Sequence, residues 1–257
     1  MNKYTLRFAL FLLFSLQSIF AFADNVPADN AYASADYQSA VTLYQDAIDT
    51  SPEPISELYY NLGCAFFKND QIAEALLAFE RAYLIDPSDS DTKYNIELAN
   101  TRTLDKITVA PTFFLGRWMD AISHWFMLNT WLALGIIFFG LAAVCFLLFL
   151  WATSRGMKMI GFYLSVFLFF LSIISNTMAY KSYRFSHDTT KAIVMAEVVT
   201  VKSSPDMSSE DLFIIHAGLK VEILQTLNNF AEILLPDKTV GWVAKNDIEV
   251  INKFVQK

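Results

Sequence analysis

The side chains that most often carry catalysis or bind metals are few in this chain, and they do not converge. Three histidines occur: His124 in an aromatic stretch, His187 in a polar one and His216 at the end of an apolar run. No HExxH, CxxC, P-loop or GxGxxG run is present, and the serines have no partner at a recurring spacing. Cys64 has no histidine near it, and its place directly after Gly63 suits helix packing rather than nucleophilic attack. Cys145 stands in the middle of an apolar run, so the two cysteines make no disulfide framework, and an oxidising compartment is not contradicted. The expectation is a protein that is not an enzyme, with no cofactor and no metal, whose chemistry is binding.

Binding needs a scaffold, and residues 24–110 supply a repetitive one. From Ser56 the chain reads SELYYNLGCAFFKNDQIAEALLAFERAYLIDPSD, with Tyr59, Leu62, Gly63, Phe66, Ala75, Phe79, Ala82 and Pro87 at fixed offsets. Tyr59, Leu62 and Phe66 make the inner stripe of one helix. Small residues at Gly63, Ala75 and Ala82 let a second helix cross it closely, and Pro87 stops that helix. The segment resembles the tetratricopeptide repeat at every one of these positions. One repeat length earlier, Tyr32, Ala35, Asp36, Tyr37, Ala40, Tyr44 and Ala47 fit the second half of a similar unit. One repeat length later, the stretch from Asp91 to Leu104 has first-helix character with no partner helix after it. Such a short array needs support from a partner or from the membrane-proximal segment. The resemblance implies a concave groove lined by Tyr32, Glu57, Tyr60, Asn61, Phe67, Lys68, Tyr94, Asn95 and Arg102. Aromatics there either anchor a partner peptide or pack on a neighbouring helix. Asp91 stands where the family's carboxylate-clamp branch needs a cation, which argues against a terminal-carboxylate ligand.

Two further stretches, residues 131–151 and 159–180, lack any Asp, Glu, Lys, Arg or His. At about 1.5 Å per residue each covers about 30 Å, the thickness of a bilayer core. They read as a transmembrane hairpin over residues 129–180, turning at Arg155 and Lys158. Residues 111–128 carry Phe114, Trp118, Ile122 and Trp125 at helical spacing, with Arg117, Asp120 and His124 on another face. This is an interfacial helix or a forward extension of the first span. Residues 1–23 have the order of a signal peptide, with Lys3 and Arg7, an apolar run and then Ala21-Phe-Ala23. It is either cleaved before Asp24 or kept as an anchor. Export of that end, two spans and the basic turn place both soluble parts outside the cytoplasm, at an inner membrane and facing the periplasm. Composition agrees with a multi-domain membrane protein: 54% of residues are hydrophobic, 23 are Phe, and 18% are charged. Residues 24–128 hold 16 acidic and 6 basic side chains, a balance that does not seek nucleic acid.

After a linker at residues 181–190, the remainder alternates in apolar runs: 192–201, 212–215, 219–224, 230–235 and 240–243. Ser203-Ser-Pro205, Ala217-Gly218, Asn228-Asn229 and Pro236-Asp-Lys238 separate them. Five short strands at this pitch predict a small all-β barrel over residues 191–257. The order of its strands and loops, with Val240-Gly-Trp-Val243 near the end, resembles the bacterial SH3 domain. Phe213, Phe230 and Trp242 are its candidate recognition patch, or else its core.

Signal peptide, short repeat array, Pro111 link, apolar hairpin and terminal SH3-like barrel together resemble the E-component family of the Bacteroides aerotolerance operon. That resemblance implies protein partners of two kinds, von Willebrand A-domain membrane proteins and another repeat protein, acting with a MoxR-type ATPase in stress or oxygen tolerance. Two functions stand open. One is a membrane-anchored periplasmic adaptor that assembles such a complex. The other is a cell-envelope sensor that binds wall peptides through the barrel.

Overall fold

A computed structural model of the chain describes residues 26–107 and 114–254. The signal-peptide stretch, Asp24, Pro111 and residues 255–257 lie outside the described residues. Five helices open the described chain: α1 (Val26–Ala33), α2 (Tyr37–Thr50), α3 (Ser56–Lys68), α4 (Ile72–Ile85) and α5 (Ser90–Asn100). Short polar side chains start two of them. The Asp36 carboxylate accepts from the Ser39 amide at the head of α2, and Asp89 accepts from the Asp91 and Thr92 amides at the head of α5. All eight signature residues of the repeat are buried. The α3–α4 crossing depends on Gly63, where a Cβ would come within 2.6 Å of the Phe79 ring.

α4 is buried beyond what its repeat requires. Ten of its 14 residues are buried, Glu80 and Arg81 among them, which is too many for a helix covered on one side only. Its other cover is the C-terminal sheet. Leu77 and Leu84 meet Ile193 and Ile251 in one cluster. Arg81 donates from Nε to the Ile251 carbonyl at 3.1 Å, and from Nη2 to the Val250 carbonyl and to Glu249 Oε1 at 3.1 and 2.6 Å. Lys220 Nζ donates to Glu80 Oε2 at 2.6 Å. Just past α5, the Asp105 carboxylate accepts from the His216 amide at 2.6 Å and faces its ring Nδ1 at 2.9 Å. The short array is therefore supported by the sheet, a source other than the partner or membrane-proximal segment expected from the repeat count. Residues on either side of the long apolar helices add a smaller contribution: His124 and Phe185 rings pack edge-on to Tyr83.

Next come α6 (Phe114–Ser123), α7 (Leu128–Trp151) and α8 (Arg155–Ser186). The last two, 24 and 32 residues, are long and apolar enough to cross a membrane, and most of their apolar side chains are exposed. They form a hairpin whose seam is built from small residues. Ser175 and Ser172 donate to the Trp131 and Gly135 carbonyls at 2.8 and 2.9 Å. At Gly161 a Cβ would lie 3.0 Å from the backbone of α7, so the close approach requires glycine there. The basic turn expected at 152–158 is shorter, because Arg155 and Lys158 belong to the first turn of α8, which Ser154 caps. The expected linker is shorter too: α8 continues to Ser186 and brings Phe185 onto Tyr83.

Seven strands follow: β1 (Lys191–Val194), β2 (Val198–Lys202), β3 (Asp211–His216), β4 (Lys220–Leu227), β5 (Phe230–Leu234), β6 (Val240–Ala244) and β7 (Ile248–Val250). They form one antiparallel sheet in the order β3-β2-β6-β5-β4-β1-β7. This corrects the expected five-stranded barrel in two ways. The first predicted run is two strands, broken where the Met195 and Ala196 amides turn to donate to the Asp247 carbonyl, and 248–250 makes a seventh strand. The sheet is also open, with no ladder joining β3 to β7 among the described residues. It nevertheless curls, since Val194 of β1 and Val199 of β2, at distant places in the strand order, share one core.

Gly63→Leu is expected to lower the melting temperature of the detergent-solubilised protein. The branched side chain overpacks the Phe79 contact by about 1 to 3 kcal/mol or more. Circular dichroism at 222 nm checks this, and an unchanged melt would mean that α3 and α4 can separate at no cost.

Candidate functional site

The residues expected to line the groove come from three elements, and the structure treats them differently. α1 contributes Tyr32, half-buried, with its ring edge-on to Tyr37 at 5.5 Å. α3 contributes Glu57 and Lys68, both exposed, and Tyr60, Asn61 and Phe67, all half-buried. α5 and the turn after it contribute Tyr94, Asn95 and Arg102. Tyr94 is 65% exposed, the most open large aromatic on the array.

Two polar links tie α3 to the α5 side. Asn95 Nδ2 donates to the Tyr60 hydroxyl at 3.0 Å and lies 3.9 Å from Cys64 Sγ. The Arg102 guanidinium lies over the Phe67 ring, 5.5 Å from its centroid, while its Nη2 pairs with Asp70 at 2.7 Å. Tyr60 is thus in part a structural residue, with its ring 6.0 Å from that of Phe79. Burial, with the neighbouring Cys64 as a second cause, pushes the Tyr60 hydroxyl up to about 12. Burial also raises the Cys64 thiol above its ordinary value. A thiol held protonated and packed is a poor nucleophile. What this surface offers is a set of aromatic edges and amide and guanidinium donors, which is the chemistry of a protein contact. Cys64 packs as its place after Gly63 implies, whereas the role of Asp70 escaped the sequence reading; an acidic residue about one repeat length before Arg102 was the available signal.

Residues 56–89 match the family model of the tetratricopeptide repeat. They are a tetratricopeptide repeat. No curated protein matches the chain. Tetratricopeptide repeats generally serve as scaffolds for protein–protein interaction, and protein partners are the class of ligand that this one supports.

The sheet does not bring its three aromatics together. Phe213 pairs with buried Val201 and packs on the sheet core. Phe230 alternates with core Ala231, and Trp242 with core Val243, so both stand on the other face, where Trp242 is paired with Glu232 and Lys202. The three histidines stay apart as well: His124 packs on Tyr83 and Phe185, His187 stacks on Tyr183, and His216 is held by Asp105.

Cys64 in a Cys145→Ser background is expected to react with a water-soluble disulfide reagent more slowly than in the urea-unfolded chain, by about tenfold or more. Absorbance of the released thiolate measures it. Equal rates would mean that the thiol is open and that the Tyr60–Asn95 contact does not cover it.

Proposed function

We propose that the protein is a membrane-anchored adaptor that recruits protein partners through the repeat face of Tyr60, Phe67 and Tyr94. Tyr94 carries this reading. It stands 65% exposed on α5, next in the chain to the Asn95 whose side chain holds the Tyr60 hydroxyl, so that an apolar side chain of a partner finds an uncovered aromatic anchor on an ordered helix. Tyr32, Glu57, Asn61, Lys68, Asn95 and Arg102 form its polar surround. α7 and α8 are proposed as two spans of an inner membrane, with the repeat and the sheet domain, whose sequence resembles the bacterial SH3 domain, on the periplasmic side. α6 then lies in the headgroup layer, a place suited to Trp118 and Trp125, which are 70% and 65% exposed. By the family resemblance, the complex so assembled serves stress or oxygen tolerance, and the partners are von Willebrand A-domain membrane proteins and another repeat protein.

Two measurements test this. Tyr94→Ala is expected to weaken partner capture from native membranes by about thirtyfold, equivalent to about 2 kcal/mol, with the helical signal unchanged. Glu57→Ala is expected to change mainly the salt dependence of capture. Capture at wild-type yield by Tyr94→Ala, Tyr60→Ala and Phe67→Ala alike would remove this face as the recruiting surface. For topology, a reporter active only in the periplasm is expected to work when fused after Lys106 and after Lys257, and to be silent at Thr153. Activity at Thr153 would invert the arrangement.

A further inference from the structure

On the side of α2 and α4 lies a cavity of about 370 Å³ that uses none of the Tyr60, Phe67 and Tyr94 face. Tyr59, Leu62 and Phe66 of α3 and Leu77 of α4 make its apolar floor. Asp46 and Asp49 of α2 and Glu74 of α4 stand on its walls; Asp46 accepts from the Thr50 hydroxyl through its backbone carbonyl, but none of the three carboxylates makes a hydrogen bond or a close ion pair among the described residues, and the Asp49 charge acts on Lys253 only at a distance. The cations at its edge are already engaged. Arg81 holds Glu249 and two carbonyls of the tail, and Lys253 Nζ lies 5.7 Å over the Tyr59 ring.

That lysine belongs to this chain, in the segment after β7. From β7 the tail runs through Ile251 to Phe254, fixed by Arg81 and by Asn252 Nδ2, which donates to the Ser186 and Asp188 carbonyls. It sets the Phe254 ring edge-on to Tyr59 at 5.5 Å. A basic residue followed by an aromatic is thus already seated on the rim. The rest of the cavity combines an apolar floor with unpaired carboxylates, a combination that rejects acidic segments and retains cationic ones.

We infer that this cavity is a second peptide-binding site, for an extended partner segment that carries Lys or Arg beside a large apolar side chain. The Lys253–Phe254 pair is the resident example of that pattern and competes for the Tyr59 rim. The apolar side chain of the incoming segment covers Leu62 and Phe66, and its cation sits between Asp49 and Glu74. The site is separate from the Tyr94 face, so loss of one leaves the other.

The test uses the full chain in detergent and, as probe, a fluorescein-labelled synthetic peptide copying residues 251–257 (INKFVQK), followed by fluorescence anisotropy. Vacating the rim with the double variant Lys253→Ser, Phe254→Ala is expected to raise affinity about tenfold. Adding Asp49→Lys and Glu74→Lys to that variant is expected to lower it about tenfold or more, and to abolish its salt dependence. Glu53→Lys with Asp91→Lys, acids outside the cavity, is expected to leave it unchanged. A probe with both lysines replaced by glutamate is expected not to bind. No binding to the vacated chain, equal binding of the glutamate probe, or equal loss from the outside charge reversals would each overturn the proposal.

Discussion

The guanidinium of Arg81 lies between the repeat and the C-terminal sheet and holds the two in one register. Its side chain is 10% exposed, and its donors reach two tail carbonyls and one carboxylate. A cation removed from water is costly unless its donors are met, and here three acceptors meet it. Removing it would leave the Val250 carbonyl short of a donor, at a cost of about 1 to 3 kcal/mol where buried, and the Ile251 carbonyl with the Lys253 amide alone. The contact of Leu77 and Leu84 with Ile193 and Ile251 is dry and apolar, so it supplies attraction without direction. Arg81, with Lys220 on Glu80 and Asp105 on His216, fixes the register in which the sheet sits on α4.

From that register the remaining arrangement follows. One side of the repeat is consumed by the sheet and the tail, which leaves the Tyr94 face as its open aromatic surface and the α2–α4 cavity as a recess. The same docking brings Phe185, at the end of α8, against Tyr83 and His124. The long apolar hairpin therefore joins the repeat through packed rings as well as through covalent linkage. Burial lowers the affinity of His124 for a proton, in spite of Asp120 nearby. Protonation as the pH falls below the ordinary histidine range thus works against the packed form at this contact, and its stability rises with pH through that window.

Much of this was legible in the sequence, for physical reasons that can be named. Gly63, Ala75 and Ala82 against Tyr59, Phe66 and Phe79 give a helical crossing that few other sequences allow, and the first-helix character expected over Asp91 to Leu104 is α5, which starts at Ser90 and ends at Asn100. The absence of charge in 131–151 and 159–180 marks the two long apolar helices. The strands were found but miscounted, because the run from Ala192 to Val201 is apolar at every position but Glu197 and Thr200 while the backbone turns at Met195, and an apolar run does not report a corner. The docking was missed because Glu80 and Arg81 look like solvated charges. A signal did exist: α4 reads IAEALLAFERAYLI, apolar on nearly every side, which a helix with one free face does not need. The grouping of Phe213 with Phe230 and Trp242 could not be judged at all without strand register, since a shift of one residue moves a side chain to the other face.

The central claim is that repeat and sheet form one cooperative unit through Arg81, and hydrogen exchange read by mass spectrometry on the detergent-solubilised chain tests it most directly. In Arg81→Leu, amides of α3 and α4 and those of β1 and β7 are expected to lose protection together, while α7 and α8 keep theirs. Loss confined to one side, or protection unchanged on both, would contradict it.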